Sequence, residues 1–206
     1  MDKKLLLTAS AIAVAIISAN AQSFEIIPQA NYTFGGRAYG QFGDLKIQDS
    51  ESYGISFNII NDDISVQLEY FNQPTKGAYR DYFIPAESQT SDLNINWYHL
   101  GVRKRFNTSE KVVPFAGGSA GLTYFVLDSS PTGYDEVALS IGLQAGTNIY
   151  FSDRVGLRLH ARLLVPIQFT GFGFYAGTGG SGAAATAGSY FVQADVGAGL
   201  VIRLGY

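Results

Sequence analysis

The stretch Val192-Gln193-Ala194-Asp195-Val196-Gly197-Ala198-Gly199-Leu200-Val201-Ile202-Arg203-Leu204-Gly205-Tyr206 alternates with a period of two. Val192, Ala194, Val196, Ala198, Leu200, Ile202, Leu204 and Tyr206 are apolar or aromatic. The interleaved Gln193, Asp195, Gly197, Gly199, Arg203 and Gly205 are polar or tiny, with Val201 the exception. Successive side chains of a strand point to opposite faces. The segment is therefore a strand with one continuous apolar face and one narrow polar face.

The same period recurs upstream. Val155, Leu157, Leu159, Ala161, Leu163, Val165 and Ile167 alternate with Gly156, Arg158, His160 and Arg162. Val137 to Phe151 and Pro114 to Val126 behave alike, the latter rich in Gly on its inner face. Tyr53/Ile55/Phe57/Ile59 and Ile64/Val66/Leu68/Tyr70 flank Asn61-Asp62-Asp63, and Ala30, Tyr32 and Phe34 oppose Gln29, Asn31 and Thr33. Only 93–106 is irregular. Its apolar phase switches from Leu93/Ile95/Trp97 to Tyr98/Leu100/Val102, which predicts a bulge near Trp97 or a later start. Eight strands result, at 26–34, 52–61, 64–71, 93–106, 113–126, 137–151, 154–168 and 189–206.

Several of these exceed the usual strand of 5–6 residues and match the 9–11 tilted residues that cross a bilayer. A soluble barrel would turn the apolar face inward. Charged residues make up only 15% of this chain, against about 25% in soluble domains. Aromatics also gather near strand ends: Phe34, Tyr53, Tyr70, Tyr124 and Tyr190 at one level, Phe106, Phe151 and Tyr206 at the other, as in interfacial girdles. The fold expected is all-β, an eight-stranded antiparallel transmembrane up-and-down barrel. The long connections are 35–51, 72–92, 127–136 and 169–188, and the short ones 61–63, 107–112 and 152–153. Long loops outside and short turns in the periplasm then set the orientation.

The first residues read as an address. Lys3 and Lys4 precede an apolar run from Leu5 to Ile17, and Ala19-Asn20-Ala21 places small residues at a cleavage site. This predicts a secretory signal peptide over 1–21, cut after Ala21, with the barrel over 22–206. The absence of Cys excludes disulfides, thiolate zinc sites and a cysteine nucleophile. A formal charge of -3 argues against a nucleic-acid binder.

With its signal segment, its eight amphipathic strands, Pro114-Phe115-Ala116-Gly117-Gly118-Ser119-Ala120-Gly121 and the ending from Gly197 to Tyr206, the chain resembles small Gram-negative outer-membrane β-barrel proteins of the OmpX, OmpW and opacity-protein types. The resemblance implies outer-membrane lipid and lipopolysaccharide as surroundings. It also implies that Leu204 and Tyr206 form a signal for the barrel-assembly machinery. Members differ widely in role, so it hands over no function.

An eight-stranded barrel is just wide enough for its own side chains. Its inner face carries Gln67, Glu69, Arg103, Arg105, Gln144, Arg158, His160, Arg162, Gln193, Asp195 and Arg203. Buried charges must be paired or hydrated, which predicts ion pairs Glu69–Arg103 and Asp195–Arg162. Five Arg against two acids leaves a basic surplus, with Arg105, Arg158 and Arg203 near the periplasmic mouth. An enzyme would need Ser, His and a carboxylate in mutual reach. His99 and His160 are the only histidines, and neither G-x-S-x-G nor H-E-x-x-H occurs. No catalytic residue, cofactor or metal site is read. In the second loop Tyr79, Arg80, Tyr82 and Phe83 are candidate contacts, since aromatics with mixed charge suit a binding edge. The Gly-rich run 177–188 reads as a flexible linker. The role expected is structural or interactive, by presenting loops or joining an envelope protein partner. A narrow pore or lateral conduit is the alternative, and a lipid-modifying enzyme ranks last.

Overall fold

The computed structural model describes residues 23–39, 43–81, 89–106, 109, 111–127, 135–177, 180–190 and 192–204. The expected signal peptide, with Ala19 and Ala21, and the terminal Tyr206 lie outside these residues, as do Tyr82 and Phe83. Within them run β1 (Ser23–Thr33), β2 (Arg37–Tyr39), β3 (Gly43–Ile47), β4 (Ser50–Asn61), β5 (Ile64–Asp81), β6 (Gln89–Arg105), β7 (Val112–Leu127), β8 (Asp135–Tyr150), β9 (Val155–Gly177), β10 (Gly180–Tyr190) and β11 (Gln193–Leu204).

Eight of them make a closed antiparallel ring in the order β1, β4, β5, β6, β7, β8, β9, β11. Pairing of β11 with β1, Phe24 opposite Leu204 and Thr33 opposite Asp195, seals it. Closure removes every edge of this ring, as hydrocarbon requires. The turn between β4 and β5 is two residues long, with Asp62 at φ 51°. Asp tolerates that left-handed conformation better than most side chains.

The remaining three strands prolong the ring. Thr33 pairs with Ser50 and Arg37 with Lys46, so β2 and β3 continue the β1–β4 hairpin. β3 then runs beside the far end of β5. β10 pairs with β9 from Ile167 onward, above the stretch from Val155 to Leu164 that pairs with β11. Segments 35–51, 72–92 and 169–188, expected as loops, thus contain paired strand. The expected flexible linker at 177–188 is overturned too, because Gly180 to Tyr190 pair with β9 through two register shifts. A ladder needs only backbone partners, so pairing fixed within the membrane extends past the point where alternation ends. β5 has 18 residues and β9 has 23. Both exceed the 9–11 of a crossing, and the surplus projects beyond the membrane.

Neither the bulge expected near Trp97 nor the alternative later start is found, since β6 begins at Gln89. Trp97 sits opposite Phe71 on one side and Thr123 on the other, with unbroken register through it. Leu93, Ile95 and Trp97 simply face inward, while Tyr98, Leu100 and Val102 face outward.

Leu143, Leu68, Leu100, Val102 and Ile141 head a belt of exposed apolar side chains around the ring. In water such a belt would forfeit about 25 cal/mol for each Å² left uncovered, so it belongs against lipid. Tyr32, Phe34, Tyr53, Tyr70, Tyr98 and Tyr124 are exposed toward the long-connection end, Phe106 and Phe151 at the other. Tyr70, Tyr98 and Tyr124 form a continuous row on β5, β6 and β7, with centroids 4.9 and 5.6 Å apart. The Tyr190 side chain lies outside the described residues.

Candidate functional site: the barrel lumen

The lumen is layered. Toward the long-connection end Phe71, Leu93, Ile95, Trp97, Phe125, Ala138 and Leu164 pack together, and Ile47 from β3 joins them. Phe71 and Trp97 stack at 5.5 Å, and Trp97 Nε1 donates to Gln73 at 3.3 Å. At the short-turn end Ile27, Val113, Tyr150 and Val201 form a second apolar cluster. Val201, the exception in the sequence pattern, is therefore a lumen plug.

Glycine makes room for the bulk. A Cβ on Gly121 would stand 1.8 Å from the Tyr98 carbonyl oxygen and 2.8 Å from the His99 ring. On Gly54 it would stand 2.5 Å from Phe71 Cβ. His99 and Phe71 thus use the space that a glycine on the next strand leaves free.

Between the two clusters lie polar layers. Arg162 and Asp195 face each other across β9 and β11, with Nε donating at 2.9 and 3.0 Å and Nη2 at 2.7 Å from Oδ2. Arg162 also pairs through Nη1 with Glu69, which accepts from Gln29 as well. The Arg162 guanidinium rests 4.1 Å above the Phe71 ring. His99 touches Ser119 through Nδ1 at 2.9 Å and Ser140 through Nε2 at 2.8 Å. Below, Glu25 accepts from Tyr150 at 2.7 Å, from Arg203 at 3.3 Å and from Asn58 at 3.4 Å, with Arg158 at 3.8 Å. Arg105 donates to Tyr150 at 3.3 Å, and Arg158 to Asn148 at 2.9 Å.

The Asp195–Arg162 pair stands where the strand register puts it. The expected Glu69–Arg103 pair does not form, because Glu69 is opposite His99 while Arg103 is opposite Ser65. Glu69 instead reaches across the lumen to β9. Pairing by neighbouring strands cannot foresee such a contact, and a lumen this narrow permits it. The count of two acids is corrected to three by Glu25. It shares the inward phase of Gln29 and Asn31 but lies before the expected start at Ile26, whereas β1 begins at Ser23. His160 is buried over Gly146. Tyr79 pairs with Gln89 and Arg80 with Asp44 in the extended hairpins. Leu204 ends β11 and is exposed.

Residues 7–171 match the family described as outer membrane protein beta-barrel domain. No curated protein matches. Among solved structures, the outer membrane protein OprG from Pseudomonas aeruginosa is similar at TM-score 0.60 and 10% identity, over 92% of this chain and 99% of that one. Neisserial surface protein A gives 0.58 and 15%, over 87% and 96%. AlkL, also an outer membrane protein, gives 0.52 and 13%, over 91% and 93%. At these identities the likeness is one of fold.

Proposed function

Because the chain belongs to the outer membrane protein beta-barrel domain family, we propose that this outer-membrane barrel acts by contact, as a structural or interaction protein, rather than by passage or turnover. The filled lumen carries the reading. Phe71, Ile95 and Trp97 are fully buried in its outer half, and the Arg162 triad and the Glu25 cluster bridge it below. The inner glycines Gly54, Gly117, Gly121 and Gly146 lie against the side chains they accommodate. Among the described residues neither histidine is bonded to a carboxylate: His99 spends both ring nitrogens on serine hydroxyls and is 1% exposed, and His160 is buried without a hydrogen-bond partner. What projects is the set of extended hairpins, which offer contact surface to an envelope protein partner. Lipid and lipopolysaccharide around the belt, and recognition of Leu204 and Tyr206 by the barrel-assembly machinery, belong to the same reading.

A lateral conduit is the second reading, favoured by one observation. A groove of about 350 Å³ on the outer wall lies among Phe34, Leu143, Ala145, Ala161, Leu163, Ala194 and Val196. Arg162 and Asp195 stand behind it, so passage inward would break their ion pair. Single-channel recording on the purified barrel in a planar bilayer separates the readings. A flat trace at the membrane's baseline is expected, and discrete conductance steps would overturn the closed barrel.

A further inference from the structure

The lumen holds five guanidinium groups, on Arg103, Arg105, Arg158, Arg162 and Arg203, against the carboxylates of Glu25, Glu69 and Asp195. Glu69 and Asp195 are both engaged by Arg162, and Glu25 is shared by Arg158 and Arg203. Arg103 is 2% exposed and joins no ion pair among the described residues. An arginine keeps its proton in proteins, and an isolated buried charge is costly unless a counter-charge meets it. The Phe115 ring, 4.8 Å from Arg103 Cζ, attracts the cation without neutralising it.

The two guanidinium groups of Arg103 and Arg158 lie about one aromatic ring. Among the described residues Arg103 Nε and Nη1, Arg158 Nη2 and the two ring nitrogens of His160 have no hydrogen-bond partner. Arg158 Nη2 keeps only its 3.8 Å ion pair with Glu25, and a neutral imidazole offers one of its two nitrogens as an N–H donor. Arg158 Cζ is 5.1 Å from the same Phe115 ring. A Cβ on Gly146 would stand 2.8 Å from the Phe115 Cζ and 2.9 Å from His160 Cα, so ring tip and histidine share one small patch of wall. His160 follows Arg158 by two residues on the same inward face.

We propose that Arg103, Arg158 and His160 bind one compact monovalent inorganic anion of halide type inside the barrel. A single negative charge matches Arg103, the one fully buried guanidinium without a carboxylate among the described residues, whereas Arg105, also without one, is only part-buried and donates to the Tyr150 hydroxyl. A spherical ion accepts N–H bonds from three separate side chains that have no common fork. The site lies between the two apolar clusters and is structural, a counter-charge built into the lumen.

Crystals of the full-length folded barrel grown in sodium bromide test this directly by anomalous scattering. A bromide peak in contact with Arg103 and His160 is expected. Density for water alone at that position, or bromide only around Arg105 and Arg203 at the mouth, overturns the proposal. In detergent, the urea midpoint should rise in chloride relative to gluconate at equal ionic strength, as binding to the native state alone requires. The rise should vanish in Arg103→Gln. An unchanged anion dependence in that variant also overturns it, and the bromide experiment stands even if the variant does not fold.

Discussion

Arg162 is held from two sides, by Asp195 on the neighbouring strand and by Glu69 from across the lumen, with the Phe71 ring beneath it. All three charged groups are nearly inaccessible to solvent. Removing one partner of a buried pair costs about 3–5 kcal/mol, because the survivor is left buried without a counter-charge. Asp195→Asn keeps shape and removes charge, while Glu69 still faces the guanidinium. A loss near the lower end, about 3 kcal/mol, is therefore expected in equilibrium unfolding from lipid vesicles. Glu69→Gln should act alike. The double variant should lose more than the sum, since only then is Arg162 wholly uncompensated. Additive losses would show that the two carboxylates do not share the cation.

On β7 the run Ala116-Gly117-Gly118-Ser119 places adjacent glycines on opposite faces of one strand. A Cβ on Gly117 would stand 2.6 Å from Arg103 Cγ and 2.3 Å from the Val102 carbonyl oxygen, whereas on Gly118 it would meet nothing closer than 3.5 Å. Gly117→Ala should therefore destabilise by about 1–3 kcal/mol, as overpacking does. Gly118→Ala should stay within about 0.5 kcal/mol. Equal effects in a urea titration would refute this division of the strand. The same periodicity that separates these glycines made the ring readable from the chain, because a lipid-facing residue must be apolar whatever its neighbours are. Inward positions obey no such rule. Leu93, Ile95, Trp97 and Val201 plug the lumen with apolar bulk, which disguised the phase of β6 as a bulge. The Glu69–Arg162 contact joins strands that are not neighbours, so alternation and register carry no trace of it. The hairpin extensions were hidden for another reason: their pairing rests on backbone groups, which leave no side-chain pattern.

At the scale of the molecule, the membrane ring and the projecting hairpins are separable by their pairing. β11 pairs with β9 only from Val155 to Leu164, and the β9–β10 hairpin starts at Ile167. Every ladder of the ring, including the closing one between β1 and β11, is complete without that hairpin. Replacing residues 170–188 by a short turn should then leave the urea midpoint of the barrel unchanged. If contact is the function, the surface for it is lost at the same stroke. Gentle detergent extraction from native membranes should give a smaller particle for the trimmed chain than for the intact one. A particle of unchanged size would remove this hairpin from the contact surface. A trimmed chain that no longer folds would make the projection part of the barrel's own stability, and the division of labour between ring and hairpin would fall with it.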